Sequence, residues 1–145
     1  MNVENRVYPD ADQIAALGAP AAEGPIVMVN LLKFRDKARY PDGRDAHLSG
    51  REAYNRYAVE VVKLLRALGG QVLFTGDARS LVIGRTESLW DEIALAQYPS
   101  RSAFLQMAMS PEAHAIAVHR EAGLEGQLNI ETVPTLAARL ASLTP

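Results

Sequence analysis

The segment that most constrains the fold is "PIVMVNLLKF", which begins at Pro25 and is apolar from Ile26 to Phe34 except for Asn30 and Lys33. Its start is β-branched and loop residues bound it closely, so a strand is favoured over a helix. An antiparallel strand with one wet face should alternate apolar and polar residues. This one does not: Ile26, Met28, Leu32 and Phe34 share a side with Asn30, while Val27, Val29 and Leu31 occupy the other. Both sides must therefore be covered, one by helices and the other by a further layer. Asn30 then demands a partner, because a buried amide is costly unless its donors and acceptor are met.

The rest of the chain supplies the helices. Asp10 and Gln13 form a capping box opening a short helix with Ile14 and Leu17, which stops at Gly18. Residues 35–48 read as a long loop around "YPDGRD", either a lid or a solvated excursion. Ser49 and Glu52 form a second capping box, and the helix they open carries Tyr54, Tyr57, Ala58, Val61, Val62, Leu65 and Leu68 on one face before Gly69 and Gly70 end it. "QVLFTGDA" and "SLVIGR" are expected to form strands, or one bulged strand broken at Gly76 and Asp77, and "WDEIALAQYP" a further strand beginning at Trp90. Ser100 caps a helix with Phe104 and Met107 inside; Ser110, Pro111 and Glu112 make a second start, so that helix is broken there and ends near Gly123. "EGQLNIETV" alternates Leu128, Ile130 and Thr132 against Gln127, Asn129 and Glu131 as a last strand. Leu136, Leu140 and Leu143 in the tail predict a short helix docking on its own domain or on a partner.

The order β–α–β–β–α–β defines an α+β domain of ferredoxin-like form, an antiparallel sheet with both helices on one face. At 145 residues the chain is read as a single domain, 1–145, with its core at about 24–133. One sheet face is left bare although strand one is apolar on both sides. A second copy packed sheet to sheet covers it, so a homodimer is expected. A net charge of −2 without a clustered basic patch argues against nucleic acid as a partner. No apolar run approaches the roughly 20 residues of a membrane span, and the first residues lack a leader's apolar core, so a cytoplasmic protein away from membranes is expected. The absence of cysteine removes thiolate chemistry and cysteine-type metal sites.

"MVNLLKF", "SGREAYNRYAVEV", "LGGQVLFTGD" and "ALAQYPSRSAFLQMAMSPEAHAIAVHREAGLEGQLNIET" together resemble the domain of unknown function 1330 family of the dimeric α+β barrel superfamily, over roughly Gly24 to Thr132. The resemblance implies this same fold and dimer, with a pocket between sheet and helices. The chain departs from the family's usual aromatic pair before Ser110, having Gln106 and Met107. The superfamily includes cofactor-independent monooxygenases, muconolactone isomerase-like enzymes, haem-dependent peroxidases and ligand-binding regulators, so the fold does not select a reaction.

The candidate ligand-binding residues are Asn30, Tyr54, Tyr57, Tyr98 and Arg101. Tyr54 and Tyr57, three apart, share a helix face; they either orient an oxygenated ligand with Asn30 or bury their rings against local partners. Tyr98 marks a strand exit, and Arg101 either holds a carboxylate or lies in solvent. His119 is the candidate general base, able to take a proton from an acidic phenol or β-diketone; the plainer reading is a satisfied helical histidine. His114 and His119, five apart, point to different faces, so no metal site is expected, and no cofactor motif occurs. Trp90 is read as an anchor for the sheet edge or a dimer contact. The functional expectation is a small-molecule pocket with cofactor-independent oxygenase or isomerase-like chemistry; the alternative is a non-catalytic ligand-binding or interaction module.

Overall fold

The computed structural model describes residues 2–141. Helix α1 spans Ala11–Gly18, strand β1 Ile26–Phe34, helix α2 Gly50–Ala67, strands β2 Gln71–Asp77 and β3 Glu92–Tyr98, helices α3 Arg101–Ala108 and α4 Pro111–Gly123, strand β4 Leu124–Thr132 and helix α5 Leu136–Ala141. The capping boxes at Asp10 and Ser49 form as expected, and Ser110 caps α4 with Pro111 in its first turn. Each cap answers a backbone donor that the helix itself cannot satisfy.

The four strands pair antiparallel in the order β2-β3-β1-β4, which places β1 and β3 at the centre. Ferredoxin-like topology follows from that order and from helices packed on one face. On that face Ile26 and Met28 pack with Leu65, Tyr98 and Met107, while Leu32 and Phe34 pack with Leu124. Between these two apolar clusters, on the same side of β1, lies Asn30.

The register also sorts the other face. Phe74, Leu95, Val29 and Ile130 form one rung across all four strands, and Gly76, Ile93, Leu31 and Leu128 the next. Among the described residues no helix covers these rungs, and at their ends Phe74 is 56% and Ile130 48% exposed. β4 thus turns its apolar alternates to the bare side, while Gln127 and Glu131, opposite Leu32 and Met28, point toward the helices.

Three expectations are corrected. "SLVIGR" forms no strand: β2 ends at Asp77, its register shift lies between Val72 and Phe74 rather than at Gly76, and Val82 and Ile83 are 90% and 89% exposed in the connection to β3. β-branched composition favours a strand only where a neighbouring strand and a packing surface exist. β3 begins at Glu92, and Trp90 precedes it, donating its indole N–H to Asn5 Oδ1 at 2.8 Å. In α5, Leu136 and Leu140 remain exposed, so the tail does not dock on its own domain within the described residues; Leu143 lies outside them.

The segment 35–48 is folded rather than open. Ala38 N–H donates to Leu48 O and Arg39 N–H to Ala122 O, both at 2.9 Å, and Ala38 and Tyr40 are buried with Ala53 of α2 and Ala122 of α4. Beneath it α2 and α4 cross at two glycines. A side chain on Gly50 would meet Gly123 O at 2.6 Å as well as the Arg35 backbone, and one on Gly123 would meet Tyr54 N at 2.7 Å.

Candidate functional site

Asn30 is met by protein atoms, but unequally. Its Oδ1 accepts from Gln127 Nε2 at 2.7 Å, whereas its Nδ2 reaches Met28 O and Ala94 O only at 3.4 and 3.3 Å. Its donors are therefore loosely engaged, since ordinary N–H···O bonds centre near 2.9–3.0 Å. Gln127 in turn accepts from Arg120 Nη2 at 2.6 Å, so a polar chain Arg120–Gln127–Asn30 runs from α4 across β4 to β1.

Tyr54 packs against the Leu32 cluster and its ring centroid lies 5.5 Å from that of Tyr57; Tyr98 stacks edge-on against Phe104 at 5.1 Å. Among the described residues the hydroxyls of Tyr54, Tyr57 and Tyr98 have no hydrogen-bond partner, and they are not sealed from solvent, Arg35 Nε being the sealed unpartnered side-chain atom. Burial pushes all three phenols above their ordinary range; Tyr57 raises its neighbours Tyr54 and Tyr98 further, and Arg120 pulls Tyr54 and Tyr57 the other way. All three are thus protonated donors at neutral pH.

At the β3 end of the same face Glu92, opposite Leu32, accepts from Arg51 at 2.8 Å, and Arg51 also holds Asp77. Burial raises the Glu92 carboxyl despite Arg51. Ala94, opposite Asn30, and Ala96, packed against the Leu65 cluster, present only methyl groups on this face.

The remaining candidates lie apart. Arg101 is engaged by Glu131 through two nitrogens and by the Ala16 and Ala19 carbonyls, so the carboxylate it holds is internal. His119 is separate from Asn30: its Nδ1 lies 2.7 Å from Tyr40 OH, which accepts from Arg56 at 3.2 Å, while Arg56 binds Asp45 at 2.8 Å. The Tyr40 hydroxyl and Nδ1 share one hydrogen bond, so this ring nitrogen is engaged within the protein in either tautomer. His119 thus belongs to a network with Tyr40, Arg56 and Asp45 rather than to the Asn30 group.

Burial, then Arg56 and Arg44, hold the His119 pKa below its ordinary 6.5. The folded state therefore binds fewer protons than the unfolded chain between the lowered value and 6.5, and stability should fall as pH drops through that window. Thermal melts at pH 7.5 and 5.5 should show a loss in the wild type that His119→Gln reduces; equal losses in both would remove the assignment.

Tyr40, Arg120, Gln127 and Glu92 were not singled out from sequence. Two open surface hollows, of about 260 Å³ by Lys33, Trp90 and Gly126 and about 370 Å³ between α1 and α3, do not include the Asn30 group.

The arrangement defines an α+β protein of ferredoxin-like fold with a polar, tyrosine-flanked break in its core. More particularly, residues 45–132 match the Domain of unknown function (DUF1330), and the chain belongs to that family. The crystal structure of the methylated RPA0582 protein is 34% identical, with 90% of this chain and 96% of that one covered at a TM-score of 0.83. A second crystal structure of RPA0582, a protein of unknown function from Rhodopseudomonas palustris, is 32% identical over 91% and 98% of the two chains, at 0.82. At3g17210 from Arabidopsis thaliana shares the fold at 20% identity and a TM-score of 0.54, over 76% of this chain and 95% of that one. No curated protein matches the chain.

Proposed function

We propose that the protein is a homodimer that binds a small oxygenated organic molecule between its sheet and helices, at Asn30, Tyr54 and Tyr57 with Tyr98 alongside, and performs cofactor-independent proton-transfer chemistry of the oxygenase or isomerase kind. The observation that carries this reading is the interruption of the core at Asn30, a loosely bonded amide on the helix-facing side of β1, together with phenol hydroxyls on α2 that lack protein partners among the described residues. Polar groups at the edge of a core that lack protein partners are open to a ligand as well as to water. Arg101 serves Glu131 and takes no part. The dimer rests on the two bare apolar rungs, a contiguous surface that a monomer seldom exposes.

Native mass spectrometry of the purified protein tests assembly and ligand together: a dimer retaining a small added mass is expected, and Asn30→Leu should lose that mass. Oxygen uptake and ultraviolet absorbance with phenols and β-diketones then separate oxygenase from isomerase chemistry. The exposed Leu136 and Leu140 favour a second reading, an interaction module. A clean dimer whose melting temperature no phenol or dicarbonyl raises would support that module and remove the enzymatic reading.

A further inference from the structure

Resting on that reading of the site, we propose that its ligand is a small organic carboxylate with an apolar body, with Arg120 as counter-charge and the Tyr54 and Tyr57 hydroxyls as additional donors. Arg120 is half-buried, yet its partners among the described residues are neutral: Gln127 Oε1 at 2.6 Å and the face of Tyr8, 5.6 Å from its guanidinium carbon. Arg51, Arg56 and Arg101 by contrast each hold a carboxylate. A guanidinium offers five donors in a planar fork suited to a carboxylate. One of them is engaged in the protein. A partly desolvated cation without a counter-ion is unfavourable, and an anion bound beside it relieves that penalty.

The surroundings describe the rest of the ligand. Arg120 lowers the phenol pKa values of Tyr54 and Tyr57 against the effect of burial, so its charge reaches both hydroxyls. Those hydroxyls have no protein partner and stay protonated, as donors to an oxyanion must. Two phenol rings 5.5 Å apart and tilted by 52°, and the methyl groups of Ala94 and Ala96 opposite Asn30 and Met28, offer apolar surface. Asn30, bonded to Gln127, joins the floor to the charged end. A charged head on an apolar body fits this division.

The test uses the full chain with carbon-13-labelled tyrosine, of which there are five residues. Sodium benzoate is titrated at constant ionic strength, with benzamide as its neutral counterpart. Saturable movement of the Tyr54 and Tyr57 ring signals is expected with benzoate, at least tenfold weaker binding with benzamide, and at least tenfold weakening of benzoate binding in Arg120→Gln. Should that variant not fold, Arg120→Lys, which keeps the charge and loses the fork, is expected to weaken binding by a smaller factor. Equal affinity for benzamide and benzoate would overturn the charge assignment while leaving the pocket in place. Benzoate binding that ignores both Arg120 variants would overturn it also. If neither compound moves these tyrosines, the carboxylate proposal and the pocket reading fall together.

Discussion

Gly50→Ala is expected to destabilise the fold by about 3 kcal/mol, because overpacking a close contact commonly costs about 1–3 kcal/mol and this one is made entirely by backbone. The new methyl group would meet Gly123 O at 2.6 Å and the Arg35 backbone, none of which is the free end of a side chain. The same place is fixed by Gly50 N–H donating to Arg35 O at 3.0 Å and Arg35 N–H to Gly123 O at 2.8 Å. Relief would separate the start of α2 from the end of α4 and carry Tyr54, one turn on, away from the Asn30 rung. A melting temperature roughly 10 °C lower is expected for a chain of this size. Gly18→Ala, with open space at its Cβ, should stay within about 0.5 kcal/mol of wild type. Equal stability of Gly50→Ala and wild type in urea would mean that the helices do not approach this closely.

Val29→Lys should convert the proposed dimer to a monomer. Val29 stands at the centre of the bare face, beside Leu95 on β3 and Ile130 on β4, with Phe74 completing the rung. In a sheet-to-sheet dimer a lysine there would be desolvated against apolar side chains of the second copy, and an unpaired buried charge is far more costly than a lost methyl group. In a monomer the same lysine points to water and the helix-side core is untouched. Light scattering after size exclusion, with far-ultraviolet circular dichroism to verify folding, separates these states. A variant that remains a folded dimer would relocate the interface; a monomeric wild type would remove the dimer.

Much of the fold was legible because its determinants are local. The unalternated pattern of β1, the capping boxes at Asp10 and Ser49, and the restart at Ser110 each act over a few residues, and each forms. "SLVIGR" misled because its strand-like composition carries no information about whether a partner strand lies beside it. Asn30 and Tyr54 stood out as an amide in an apolar strand and an aromatic on an inner helix face. Gln127 and Arg120 required the register of β4 against β1, which sets Gln127 opposite Leu32 and so on Asn30's side. The alternation of β4 held that signal, but it reads equally well with its polar set toward solvent. Tyr40 and His119, 79 residues apart, meet only because segment 35–48 folds over α4.

The chain Arg120–Gln127–Asn30 consists of one guanidinium and two carboxamides. None of these changes its charge within the working range of a protein, and the adjacent phenols are held neutral by burial. Glu92, whose carboxyl burial raises, is a titratable group on this face, and Glu92→Gln would give the recognition surface a constant polarity. In that variant, variation of affinity with acidity would report the ionisation of the guest molecule, and the midpoint of such a curve would serve as a fingerprint for identifying it.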